Sequence, residues 1–245
     1  MMSTSWERLT WDSEFFGFPV ALIRADTGAG ELAPVVAQLC EQGVVLAYWI
    51  LERPDETRVH AAQEQAGRLV DQKTTFVAPI EAVLSATADA TRKTTDYTGE
   101  PAVLRPLALA AGVSSRFRVD PSMPAHHFEQ LYTIWLERSV RREIAKVVSV
   151  TGPADAPTGF VTIGVKNARV DIGLIAVDER ARGQGCGKAL VRRAAQWGLD
   201  SGMETLQVVT QGANTAACEL YRRCGMTPET VSPVFHFWLR DVPLR

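Results

Sequence analysis

Residues 182–190 read RGQGCGKAL, in which Gly183, Gly185 and Gly187 alternate with polar side chains. The run leads into a segment with Leu190, Ala194 and Trp197 on one helical stripe and Gly202 as a stop signal. The first turn of a helix leaves about four backbone N–H groups without intrahelical partners, at the positive end of the helix macrodipole. Glycines let an anion approach those donors with no Cβ in the way, and a phosphate is the natural guest. Arg180, Arg182, Lys188, Arg192 and Arg193 gather in the same region, although the 245-residue chain has a formal net charge of -2. A plainer reading stays open beside this one: a loop that needs tight turns, with arginines on a solvated helix face.

The surrounding residues narrow the ligand. A nucleotide P-loop requires G-x-x-x-x-G-K-[ST], but Gly187-Lys188 is followed by Ala189, so no hydroxyl is available for magnesium. A dinucleotide fingerprint requires a third glycine where Leu190 stands. A small net charge gives no global field for nucleic acid or an anionic membrane, so any anion site is local. The stretch MMSTSWERLTWDSEFFGF has neither a basic leader nor an apolar core, and no apolar run is long enough to span a bilayer, so a soluble cytoplasmic protein is expected. Cys40, Cys186, Cys218 and Cys224 are scattered without zinc-site spacing, and His126 and His127 point about 100° apart on a helix, so no metal is expected.

No internal repeat is legible. Residues 85–100 (SATADATRKTTDYTGE) are poor in large apolar side chains and read as a connection, giving an N-terminal αβ domain over 1–95 and a second domain over 96–245. The first holds a strand at 44–50 and a helical period over 55–69. The second holds a helix over 124–142 and strands at 146–150, 159–165 and 170–177. After the glycine loop and its helix come a strand at 205–210, a helix at 214–224 and an apolar run at 234–239. The last run reads as an exposed strand that leaves a homodimer open. The fold class is α/β, or α+β by a stricter convention.

Arg182-x-x-Gly185-x-Gly187 resembles the acyl-CoA signature R/Q-x-x-G-x-G/A of the GNAT acetyltransferase superfamily, and the resemblance continues over 170–225. It implies a mixed sheet with two splayed parallel strands and acetyl-CoA as cosubstrate. Ile175, Ala176 and Val177 would then end the splayed strand that pairs with pantetheine. Arg182, Gly183, Gln184, Gly185, Cys186, Gly187 and Lys188 would cradle the pyrophosphate. The motif QGANTAACELYRRCGM places Asn214 as a cofactor contact and Tyr221 as the acid that protonates the departing thiolate. From the residues alone, Asn214 is also a good helix N-cap and Tyr221 also a core residue.

The stretches LTWDSEFFGFPVALIR and SSRFRVDP resemble members of the same family that acetylate nucleotide-linked amino sugars. The resemblance implies that Arg116, Phe117 and Arg118 cover the acceptor pocket, while a surface loop tied by ion pairs is the other reading. Asp171 and Glu143 are the nearest carboxylates, and neither is assigned as general base. Other amine acceptors, an idle CoA-binding module and, more weakly, a nucleotide-dependent kinase are the competing functions.

Overall fold

The computed structural model describes residues 5–240; residues 1–4, which open the N-terminal stretch read above, and 241–245 lie outside it. The chain begins β1 (Trp6–Arg8), α1 (Thr10–Phe16), β2 (Val20–Ile23), α2 (Ala29–Glu41), β3 (Leu46–Ile50), α3 (Glu56–Glu64) and β4 (Arg68–Pro79). It continues through α4 (Ile80–Ala86), β5 (Thr94–Asp96), α5 (Pro101–Ala111), α6 (Arg116–Val119), α7 (Ala125–Val140) and β6 (Val147–Thr151). The remainder is β7 (Gly159–Lys166), β8 (Arg169–Val177), a 3-10 turn at Glu179–Ala181, α8 (Cys186–Asp200), β9 (Thr205–Gln211), α9 (Thr215–Arg223) and β10 (Thr227–Trp238). The class is α/β, with mixed parallel and antiparallel strands. No helix among the described residues is long and apolar enough to cross a membrane.

Two compact units form, one from the chain up to Lys73 together with Val231 onward, the other from Thr74–Thr230. In unit 1 the strand order is β1-β2-β3-β10. β2 runs parallel to β3, and β10 antiparallel to β3 with Val234 opposite Ile50. Leu32, Val35 and Leu39 form the buried stripe of α2, at the spacing that one helix face requires. They join Ile23, Trp49, Phe235 and Phe237 in one core. The final run is therefore not the exposed edge expected from the sequence: Val234, Phe235, His236 and Phe237 are all buried, and the run pairs with β3. The helical period over 55–69 also stops early, because Ala66 takes a left-handed φ of 57° and a Cβ on Gly67 would meet Phe237 at 2.7 Å, so residues 68 onward leave as β4.

Unit 2 has strand order β4-β9-β8-β7-β6-β5. Helix α8 buries Leu190, Val191, Ala194 and Ala195 against Val161, Ile163, Val170 and Ile172. Gly198 is needed there because a Cβ would lie 2.5 Å from Val170 Cγ2 and 2.6 Å from Ile80 Cδ1. Residues 85–100 are not a bare connection: β5 pairs antiparallel with β6, Asp96 opposite Ser149. They belong to unit 2, and the compact units part at Lys73 rather than at 95.

Candidate active site

The site is built on a parallel pair that stays together for a short distance. β8 and β9 pair at Val170/Leu206, Asp171/Gln207 and Ile172/Val208, yet β8 continues to Val177 and β9 to Gln211. A register shift explains the parting. On the other edge of β8, Ile172 lies opposite Ile163 and Ile175 opposite Val161, so β8 spends one more residue than β7. An extra residue of this kind bends and twists its strand. Thr162 stabilises the irregularity, its Oγ1 accepting from the Leu174 N–H at 2.7 Å. Ile175, Ala176 and Val177 remain paired to β7 on one edge and are partly exposed, with the ladder to β9 ended.

Beyond β8 lies the glycine loop. Gly183 and Gly185 have φ of 74° and 83°, which only glycine adopts without strain, and Gly185 is the N-cap of α8. Gly187 answers to packing instead: a Cβ there would lie 3.0 Å from Leu220 Cδ2. Among the described residues, none of the N–H groups of Gly183, Gln184, Gly185, Cys186, Gly187 and Lys188 donates a hydrogen bond. Six consecutive donors thus meet the positive end of a 15-residue helix with no acidic residue in its first turn. A diphosphate matches that arrangement in charge and in hydrogen-bonding capacity.

The basic side chains are already engaged. Arg180 pairs with Asp178, whose carboxyl is held down at about 2 by the Arg180 guanidinium and backbone N–H. Arg182 lies 3.6 Å from Glu179, and Lys188 Nζ lies 2.6 Å from Asp89 Oδ1. Arg192 donates to the Leu84 carbonyl and Arg193 to Asp96, so these two brace α8 rather than line the loop. Cys186 is buried at the first position of α8. Asp89 and Arg92 are contacts that the sequence reading missed. Arg92 reaches the backbone oxygen and side chain of Gln184. The signal was a cluster of charges, Asp89, Arg92 and Lys93, in an otherwise Ala- and Thr-rich stretch.

Asn214 caps α9, its Oδ1 accepting from the Ala217 N–H at 3.2 Å. Seven residues on, Tyr221 is buried with its ring 5.5 Å from that of Phe76. Burial pushes its phenol above the ordinary range, and its hydroxyl makes no hydrogen bond among the described residues. Phe117 is buried against Trp135, with the Arg116 guanidinium 4.7 Å from its ring centroid, while the exposed Arg118 lies over Phe128. Of the carboxylates, Asp171 accepts from Gln207 Nε2 at 2.8 Å and Glu143 pairs with Arg138 at the surface. Among the described residues no group of three or more His, Cys, Asp or Glu side chains gathers as a metal site would.

Residues 117–226 match the acetyltransferase (GNAT) family model. Over 240 residues the chain is 30% identical to dTDP-fucosamine acetyltransferase of Escherichia coli O6:H1, covering 95% of this chain and 96% of that protein. The chain belongs to the GNAT acetyltransferase family. As a GNAT protein it is an acyltransferase. Human N-acetyltransferase 8B is 35% identical over 101 residues, 40% of this chain and 41% of that protein. A GCN5-related N-acetyltransferase from Sphaerobacter thermophilus shares the fold, with a TM-score of 0.62 at 14% identity over 98% of this chain and 78% of that one.

Proposed function

We propose that this GNAT protein transfers acetyl from acetyl-CoA to the amino group of a dTDP-linked 4-amino-4,6-dideoxy sugar, by direct attack in a ternary complex. The observation that carries the acyl-CoA reading is the run of unengaged N–H groups over 183–188, beside the edge of β8 that has left β9. Backbone groups of Ile175, Ala176 and Val177 take the amide arm, the glycine loop takes the pyrophosphate, and Asn214 is a further cofactor contact. Arg182 and Lys188 exchange carboxylate partners for phosphate. Acetyl-CoA supplies an activated thioester.

Tyr221 serves as the acid. A phenol raised by burial stays protonated at neutral pH, and its free hydroxyl is a hydrogen-bond donor for the departing sulfur. A new C–N bond replaces the C–S bond, and the amine proton leaves through water. A 4-amino sugar with a lowered pKa is partly neutral at pH 7, so no carboxylate base is required.

The acceptor class is supported by the identity with dTDP-fucosamine acetyltransferase along nearly the whole chain. Arg116 and Arg118 are the charges offered to the nucleotide diphosphate, on a segment that Phe117 anchors through Trp135. A second reading, transfer to another amine such as an antibiotic, a polyamine or a protein N-terminus, is favoured by the partial match to N-acetyltransferase 8B. A thiol-release assay separates them when acetyl-CoA is offered with dTDP-linked 4-amino sugars and, in parallel, with simple amino sugars, polyamines and aminoglycosides. Turnover confined to the nucleotide sugars is expected; turnover confined to another amine class moves the reading to that class.

A further inference from the structure

The chain carries the same β-α-β-α-β run twice, from β2 to β4 and from β8 to β10, which the side chains conceal. A constant offset of 159 residues takes α3 (Glu56–Glu64) to α9 (Thr215–Arg223) and β4 (Arg68–Pro79) to β10 (Thr227–Trp238). The same offset takes the start of β3, Leu46, to the start of β9, Thr205, and the end of α2, Glu41, to the end of α8, Asp200. Backbone signs keep step: Gly43 and Gly202 have φ of 73° and 70°, Ala66 and Gly225 of 57° and 81°. The caps keep step as well, Asp55 accepting from the Arg58 N–H as Asn214 accepts from that of Ala217. Three of the four β2/β3 pairs keep the register of the β8/β9 ladder: Ala21/Ala47, Leu22/Tyr48 and Ile23/Trp49 correspond to Val170/Leu206, Asp171/Gln207 and Ile172/Val208.

One interval breaks the match. Ile23 to the end of α2 at Glu41 is a step of 18 residues and Ile172 to the end of α8 at Asp200 a step of 28, so the first run is ten residues shorter between the end of the ladder and the end of the helix. Those ten residues correspond to the part of β8 that leaves β9 and to the glycine loop. Unit 1 also fills its helix end: the Glu31 carboxylate accepts from the Gly28 N–H at 2.9 Å, a fixed negative charge where α8 has none. Ala62 stands where the offset places Tyr221.

We infer that the chain contains two copies of one acyl-CoA-type β-α-β-α-β run, and that the first has lost its ligand site, so that each chain binds a single acyl-CoA through unit 2. The inference rests on the acyl-CoA reading of the glycine loop. What the first copy keeps is what folding needs: caps, left-handed turns, ladder register and a buried helix stripe. What it lacks is the ten-residue extension with its glycine loop, a helix start without a carboxylate, and the phenol. Its retained role is structural: within unit 1, β3 pairs with residues 234–238.

The test is native mass spectrometry of the full chain with acetyl-CoA, joined to hydrogen exchange with and without it. One acetyl-CoA per chain is expected, with slowed exchange over 183–188 and none over 24–31. Gly183→Asp, which has no atom within 4 Å of its Cβ position and sets a negative charge among the loop donors, is expected to weaken binding by about tenfold or more, with thermal unfolding followed beside it to register the strain at a φ of 74°. Glu31→Gln is expected to leave the stoichiometry at one. Two molecules per chain, protection over 24–31, or full binding by Gly183→Asp would overturn the inference. No binding by the native chain overturns the acyl-CoA reading itself, and this inference with it.

Discussion

Arg92 donates from Nη2 to Oε1 of Gln184 at 2.7 Å and from Nε to the backbone oxygen of the same residue at 3.1 Å. In a trans peptide the carbonyl and the next N–H point in opposite directions, so holding the Gln184 oxygen aims the Gly185 N–H away from Arg92. The guanidinium thus positions the loop donors from outside the glycine motif. Arg92→Ala is expected to raise the KM for acetyl-CoA about tenfold while changing kcat less than about twofold, with partial rescue by Arg92→Lys. Steady-state kinetics check it; a fall in kcat at constant KM would show that the contact does not serve cosubstrate binding.

Tyr221→Phe removes one hydroxyl that no described residue uses. Turnover is expected to drop by roughly 10²- to 10⁴-fold, with acetyl-CoA affinity and thermal stability nearly unchanged. Measuring kcat beside Kd and Tm separates this outcome from a packing role, in which Tm would fall and kcat per folded enzyme would hold.

The departure of β8 from β9 depends on Gly173. A Cβ at that position would lie 2.9 Å from Thr162 Oγ1, the acceptor of the Leu174 N–H. Gly173→Ala is expected to cost about 1–2 kcal/mol in urea unfolding and to raise the KM for acetyl-CoA. If neither changes, the irregularity does not govern the gap.

His127, buried on α7, gives the stability a pH dependence. Burial, helped by the charge of His126, lowers its pKa to about 4. Between about pH 6.5 and 4 the unfolded chain binds a proton that the folded chain does not, so stability falls as the pH drops through that window. Above about pH 6.5 the ring is neutral in both states and adds no slope. His127→Gln is expected to flatten the decline in urea midpoint between pH 7 and 5; an equally steep decline in the variant would place its origin elsewhere.

The sequence alone determined the parts whose physics is local. Alternating glycines before an apolar stripe mark a helix entry with bare donors, Asn214 marks a cap, and alternation and length mark β6 to β9. These depend on backbone conformation and side-chain period within a few residues, which any reader of the chain can follow. What only the tertiary structure decided depends on partners far apart in the chain. Residues 85–100 read as a connection because their side chains are small and polar; their use as a clamp exists only once Asp89 meets Lys188 and Arg92 meets Gln184. Residues 234–239 read as an edge because nothing in them names β3 as a neighbour. The repeat stayed hidden because the aligned runs retain few identities, among them Gly43 with Gly202 and Phe76 with Phe235. Selection on a fold preserves turn signs, register and burial, and many different side chains satisfy those same constraints.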